Sequence, residues 1–333
     1  KIKNIGFEVL VVGENIRGKS LINKLNFAVV IYKILSKNSF DIVHCFRMQP
    51  NIVGGFIGGI LNLNVFNHIT GLGILFTRTS LKYRLQKFII KFCYQFNNRF
   101  FKTKYIFQNE TDVFDLGITK HYRVIRGSTA NEDVFYPNNK FSNSLLNKLK
   151  IKKGEKIILF VSRLIKSKGL DILVSSVKNI NCKSGSNYRL LVVGWIDTQN
   201  IDSYNQIEIE NFKKYDFVTF LGKRNDVNDL INFTDICVLP TTYREGTPRF
   251  LLEAMACAKP IITTNMPGCS HLVNNSKPNG FIVNPLNEKN LSEALLQLFA
   301  SDLKLYGENS RLLYLEKFSE KVIFDLIYNF YNY

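Results

Sequence analysis

The 333-residue chain reads as an α/β protein of two doubly wound domains, each with a parallel sheet. Short apolar strands alternate with helical stretches in both halves, which is the sequence sign of that class. The length exceeds what one ordinary core occupies, and a polar stretch rich in Asn, Ser and Lys separates the halves between Pro137 and Lys156. A composition of 46% hydrophobic and 21% charged residues is that of a globular chain.

In the first half, Asp41–His44, Val65–Thr70 and Tyr105–Phe107 read as strands and Ile52–Leu61 as a glycine-rich helix. The first domain is assigned to residues 1–137 and the linker to 138–156, with a short helix at its centre over 144–151. The second domain, 157–317, opens with the apolar strand Ile157–Ser162 and continues through Leu191–Gly194, Phe220–Gly222 and Asp235–Pro240. From 318 to 333, Val322, Ile323, Leu326, Ile327 and Phe330 recur at helical spacing and form a terminal helix.

Two clusters carry chemistry. The first is Arg244-Glu245-Gly246-Thr247-Pro248, which leaves the carboxyl end of the 235–240 strand and enters a helix containing Glu253. Ligands of open α/β sheets bind at such strand ends. Thr247 is expected as N-cap and Pro248 as the first helical residue, so free N–H groups and the positive dipole end offer a place for a diphosphate. Glu253 lies about 1.5 turns further in, still within reach of the same mouth. The two carboxylates can hold a sugar and a ribose together. The second cluster follows the 157–162 strand: Arg163 and Lys168 flank one strand-to-helix loop, where guanidinium and ammonium can neutralise a leaving diphosphate.

In order along the chain, SRLIKSKGLD (162–171), LLVVG (190–194), FLGKRNDV (220–227), REGTPRFLLEAMACAKPIITTNMPGC (244–269) and NGFIVNP (279–285) resemble the retaining GT-B glycosyltransferases of family 4, which use nucleotide sugars. The resemblance covers essentially the whole chain and implies two Rossmann-like domains facing a cleft. It assigns Glu245, with the backbone of Gly246 and Thr247, to the donor sugar and Glu253 to the ribose hydroxyls. Arg163 and Lys168 match the diphosphate pair. Pro248, Gly194 and the loop Gly222–Asp226, with Arg224 and Asn225, complete the nucleotide side, the loop receiving the base. No D-x-D triplet occurs, so a metal-independent reaction with no cofactor beyond the UDP-sugar is expected, the two cations neutralising charge in place of a divalent ion.

The segment Ile69–Thr77 resembles members that extend undecaprenyl diphosphate-linked sugars in O-antigen, capsule and N-glycan pathways, many of them N-acetylhexosaminyl transferases. Thr70, Gly71 and Gly73 are therefore candidates for the acceptor or donor loop. Many family members carry a His immediately before this glycine; here the position is Thr70. His68 reads as a structural or surface residue, and His44, at a strand end, is open between structure and sugar contact. Matching the family pattern places Ile5-Gly6-Phe7 and Asp41–His44 at about the third and fourth strands of the first domain. The first strand, its glycine-rich loop and the second strand have no counterpart, and a chain truncated at its N-terminus is expected, with a sheet edge or apolar face left open.

Charge is uneven. Lys and Arg number 44 against 27 Asp and Glu, giving +17, yet no acid occurs between Asp41 and Glu110. That window holds Arg78, Lys82, Arg84, Lys87 and Lys91 among Leu81, Leu85, Phe88, Ile89, Phe92 and Phe96 at helical spacing. A basic helix of this kind can lie in the headgroup layer of an anionic membrane; alternatively the apolar stripe faces the domain core and only the cations face lipid. No run of ~20 apolar residues exists to span a bilayer. The six cysteines lack C-x-x-C spacing and read as reduced, in keeping with a cytoplasmic, peripheral protein. No nucleic-acid-binding pattern accompanies the basic charge, and no G-x-G-x-x-G follows a strand as a dehydrogenase requires.

These readings converge on transfer of a sugar from UDP to a polyprenyl-diphosphate-linked saccharide, with Glu245 orienting the sugar and Arg163 and Lys168 stabilising the departing UDP. Two alternatives stay open: a GT-B enzyme with a soluble acceptor, and an inactive truncated paralogue serving as a membrane scaffold.

Overall fold

A computed structural model of the protein describes residues 6–11, 21–138, 149, 151–152, 154–184 and 187–332. Contacts divide the chain into two compact units, one comprising residues up to 70 and 80–124, the other 71–79 and 125–333. The segment 125–137, assigned from sequence to the first domain, therefore packs with the second. The short helix expected over 144–151 lies outside the described residues apart from Leu149 and Ile151.

The first unit contains α1 (Leu21–Lys37), β1 (Val43–Phe46), α2 (Met48–Ile60), β2 (Val65–Ile69), α3 (Leu81–Phe101), β3 (Lys104–Phe107), α4 (Glu110–Leu116) and β4 (Tyr122–Val124). Its sheet runs β1-β2-β3-β4, all parallel. The first strand begins two residues later than the sequence suggests, because its ladder starts at Val43 opposite Val65. The glycine-rich helix begins four residues earlier and carries Pro50 in its first turn, where a missing N–H costs nothing. Its glycines are packing devices: a Cβ at Gly54 would lie 2.4 Å from Cys45 Sγ, at Gly58 2.4 Å from Val65 Cγ2, and at Gly59 2.1 Å from Phe101 Cγ. Of Ile5-Gly6-Phe7, placed by the family pattern at about a third strand, Ile5 lies outside the described residues; Gly6 and Phe7 have no regular structure, and Phe7 is exposed.

The second unit contains β5 (Lys156–Val161), α5 (Leu170–Ser184), β6 (Tyr188–Val193), α6 (Gln206–Lys213), β7 (Val218–Gly222), α7 (Val227–Phe233), β8 (Ile236–Leu239), α8 (Arg249–Ala256), β9 (Ile261–Thr264), β10 (Gly280–Val283), α9 (Glu288–Ala300), α10 (Leu303–Lys317) and α11 (Glu320–Tyr331). Its parallel sheet has the order β10-β9-β8-β5-β6-β7. The central strands β5, β6, β8 and β9 are buried on both faces, which explains their near-continuous Ile, Leu and Val runs. The chain runs outward from β5 through β6 to β7, then returns to the other side of β5 with β8. The switch point of the sheet thus lies between β5 and β8, where crevices for ligands form.

The terminal helix α11 is capped by Ser319, which accepts from the Val322 N–H. The family resemblance has it cross back to the first domain; among its described contacts are those to α10 and to the 127–132 segment, which the sequence assigned to that domain. Ile323 lies beside Gly127, and the Glu320 N–H donates to Glu132 Oε1 at 2.8 Å.

Candidate active site

The two clusters singled out in the sequence meet at the switch point. After β5 the chain passes Arg163, makes a 3₁₀ turn over Lys166–Lys168, and turns at Gly169 with φ +77°. Only glycine fits there, since a Cβ would lie 2.2 Å from the Pro240 carbonyl oxygen at the end of β8. The Ser167 carbonyl ties the two loops together: it accepts from the N–H groups of Thr242 (2.8 Å) and Tyr243 (3.1 Å) and from the hydroxyls of Thr241 and Thr242. Lys168 Nζ then reaches the Glu245 carboxylate in direct ion-pair contact, both side chains largely buried.

Burial lowers the Lys168 ammonium to about 8, and the nearby Arg163 guanidinium adds like-charge repulsion; Glu245 is the counter-charge that holds the ammonium form. Arg163 donates from Nη1 to Asp197 Oδ2 at 2.7 Å. Asp197 was not legible as a site residue, because its partner is brought to it by pairing of β5 with β6, 34 residues apart.

Helix α8 starts one residue later than expected. Pro248 is the N-cap, with φ −67° but ψ 116°, and no side chain caps the helix. Its fixed φ suits either position, and the extended ψ leaves it outside the first turn. Thr247, expected as the cap, instead has its hydroxyl 3.5 Å from His271 Nε2. His271, assigned no role from the sequence, is half-buried and lowered to about 4 by desolvation, with Arg126 adding to the shift.

Glu253 lies 1 turn into α8, its side chain 14% exposed, with Arg249 Nη2 3.7 Å away. Desolvation dominates over that exposed guanidinium and raises the carboxyl to about 7. The site therefore holds a carboxyl group that is costly to ionise and gains from any hydroxyl donor brought to it.

Two glycines of positive φ clamp the Glu245–Gly246 peptide. At Gly71 (φ +107°) a Cβ would lie 2.6 Å from Gly246 N, and at Gly268 (φ +83°) 1.8 Å from Gly246 O and 2.5 Å from Glu245 O. The Gly73 N–H donates to Arg244 O at 3.3 Å. Gly71 and Gly73 are thus brought to the glutamate loop. Gly268 was not singled out, although its Pro-Gly pair is the usual signal of a turn.

On the nucleotide side, the Gly194 N–H donates to the Gly222 carbonyl at 2.9 Å, joining the ends of β6 and β7. Arg224 forms a fork with Asp226 at 2.8 and 2.5 Å, and Asn225 is exposed. Thr70 ends the first unit, exposed. His44 and His68 lie in that unit as a stack with Phe46, ring centroids 4.3–5.5 Å apart, both lowered to about 4 by burial. Buried His68 contacts Gln108 Nε2 at 3.4 Å, the structural role expected of it.

Helix α3 carries Lys82, Arg84, Lys87 and Lys91 of the basic window. Of its apolar stripe, Leu81, Leu85, Phe88, Ile89 and Phe92 are all more than half exposed and do not face the core, while Phe96 is half-buried. The helix docks by a mixed face: buried Tyr94 packs on Tyr105, while Asn97 Nδ2 donates to Ile52 O, Asn98 Nδ2 to Thr103 O and Lys120 O, and Gln95 Nε2 to Leu116 O. Beside it, Ala28, Ile52, Phe56, Phe92 and Phe96 line an apolar cavity of about 340 Å³. No helix among the described residues is long and apolar enough to cross a membrane.

A sequence profile described as glycosyl transferases group 1 matches residues 142–312, just over half of the 333. The chain belongs to that family. The capsular polysaccharide biosynthesis glycosyltransferase CapM of Staphylococcus aureus is 32% identical over 178 residues, 53% of this chain and 46% of CapM, so the match spans less than half of that relative. An N,N'-diacetylbacillosaminyl-diphospho-undecaprenol alpha-1,3-N-acetylgalactosaminyltransferase of Campylobacter jejuni is 26% identical over 313 residues, 92% of this chain and 80% of that enzyme. Among solved structures, HepE of Anabaena in complex with UDP superimposes with a TM-score of 0.74 at 18% identity, over 92% of this chain and 81% of HepE. That likeness establishes the GT-B fold the motifs implied.

Proposed function

We propose that this chain transfers a sugar, N-acetylhexosamine as the Campylobacter relative does, from UDP to a polyprenyl-diphosphate-linked saccharide with retention at the anomeric carbon. The observation that carries the reading is the Lys168–Glu245 contact at the switch point, with Glu253 one turn inside the helix that follows Glu245 and Arg163 on the same loop as Lys168. The UDP in HepE and the lipid-linked acceptor of the Campylobacter relative support the two substrate classes.

In this mechanism a donor diphosphate is the stronger counter-charge for Lys168, so donor binding shifts the ammonium from Glu245 to the phosphate and frees the carboxylate for sugar hydroxyls. The anomeric C–O bond to UDP breaks while the acceptor hydroxyl forms its bond on the same face. The departing phosphate oxygen takes the acceptor proton. Arg163 and Lys168 stabilise charge that grows only as that bond breaks, which supplies without a metal what a divalent ion supplies elsewhere. The exposed apolar stripe of α3 and its flanking Lys82, Arg84, Lys87 and Lys91, with Arg78 just before it, hold the chain peripherally against an anionic membrane, on the inner leaflet where UDP-sugars are met.

Calorimetric titration with UDP, GDP and ADP tests the reading. UDP-selective binding that is lost in Glu253→Ala, followed by turnover of a UDP-sugar on a polyprenyl-diphosphate saccharide, is expected; absence of binding to all three nucleotides would overturn it.

A further inference from the structure

The mechanism leaves unused an exposed aromatic side chain beside the loop of Arg163. Trp195, the single tryptophan of the chain, follows Gly194 at the carboxyl end of β6 and is 47% exposed. Its backbone is fixed on both sides. A Cβ at Gly194 would lie 1.9 Å from the Ser162 carbonyl, so the end of β6 is pressed against the end of β5 just before Arg163. The Leu164 N–H donates to the Trp195 carbonyl at 2.9 Å, and the Gly194 N–H to Gly222 at 2.9 Å. Trp195 therefore stands between the loop that carries Arg163 and the loop Gly222–Asp226. Lys223 Nζ lies over the indole, 5.5 Å from the ring centroid, near enough for a cation–π contact that restrains it.

Position along the sheet gives the indole its use. Adjacent strands lie about 4.8 Å apart, and β5 separates β6 from β8. Trp195 is thus on the order of 10 Å along the sheet from the loop of Glu245. With the diphosphate over β5 and the ribose at Glu253, the remaining part of a nucleotide is a flat ring. We infer that Trp195 is the stacking wall for the nucleobase of the donor nucleotide, with Lys223 holding the indole in place. This rests on the nucleotide-sugar reading above and adds to it a residue that sets nucleotide affinity through the base.

Because the chain has one tryptophan, its emission reports Trp195 alone. UDP should change that emission saturably, over the concentration range in which calorimetry detects binding. Trp195→Ala should weaken UDP about 5- to 150-fold, the range set by base–aromatic stacking, while Trp195→Phe stays within a few-fold of wild type. Inorganic pyrophosphate, which has no base, should bind all three proteins equally. The inference is overturned if Trp195→Ala binds UDP within twofold of wild type, or if it loses pyrophosphate in the same proportion as UDP. Those outcomes leave UDP binding by the wild type intact and so leave the donor reading standing; failure of the wild type to bind any nucleotide sinks both.

Discussion

Replacing Glu253 by glutamine should stabilise the chain above neutral pH while weakening its hold on nucleotide. Burial raises the carboxyl from its ordinary 4.5 to about 7. Between those values the folded state binds more protons at this site than the unfolded state, so stability falls as pH rises. The contribution of the neutral form is fully present below the unfolded value and is lost as pH passes through about 7. At 1.36 kcal/mol per pH unit, the loss is roughly 3 kcal/mol at most, and about 2–3 kcal/mol between pH 5 and pH 8. Glutamine carries no charge to desolvate and keeps that contribution at every pH. His44, His68 and His271, each lowered to about 4, act in the opposite sense, since they gain stability as pH rises toward the ordinary imidazole range. They are present in both proteins and cancel in the difference. Urea denaturation of wild type and Glu253→Gln across this pH range should therefore show a stability gap that widens with pH. A gap that is flat, or that narrows, would refute the argument that the carboxylate is held against its own solvation. The same variant should bind UDP several-fold more weakly, because an amide is a poorer acceptor for two ribose hydroxyls than a carboxylate.

Lys168→Met strands the buried Glu245 carboxylate and should cost roughly 3–5 kcal/mol in urea denaturation; Lys168→Met with Glu245→Gln should recover much of it, and equal losses in both would argue against coupling. Gly268→Ala places a methyl 1.8 Å from Gly246 O at a φ of +83°, a conformation that costs about 1–2 kcal/mol before any clash. Turnover should fall more than tenfold and the melting temperature should drop, whereas wild-type turnover would show that the glutamate loop tolerates displacement. Arg163→Ala should lower turnover roughly 10²–10³-fold with a modest change in UDP affinity, and a variant within twofold of wild type would remove Arg163 from the charge-stabilising pair. Lys82→Glu and Lys87→Glu should each weaken sedimentation with anionic vesicles by about fivefold or more, from roughly 1 kcal/mol per cation near the surface; unchanged binding would mean that α3 does not face lipid.

What the sequence determined by itself is the local and the chemical. The α/β class follows from strand and helix alternation, and the site residue types follow from motifs that each span one strand-to-helix loop. Within such a loop, covalent spacing fixes what sits near what, so Arg163 and Lys168 share one loop and Glu245 leads into the helix that carries Glu253. Their meeting across 77 residues was implied only through family likeness. Boundaries drifted where two conformations suit one residue, as at Pro248, whose φ fits both cap and first turn while ψ decides.

Tertiary structure decided what depends on contacts between distant segments. Ser167 as the tie between two loops, Asp197 as the partner of Arg163, and Gly71 and Gly268 as clamps on one peptide all arise from parallel pairing and close backbone approach, neither of which leaves a local trace. The direction of α3 is the plainest instance. Its apolar spacing fits a core-facing stripe and a solvent-facing stripe equally well; buried Asn97 and Asn98 find backbone carbonyls in the rest of their unit, and Leu81, Leu85, Phe88, Ile89 and Phe92 are left exposed. Hydrogen-bond partners for buried amides are a property of the folded neighbourhood, and periodicity cannot supply them.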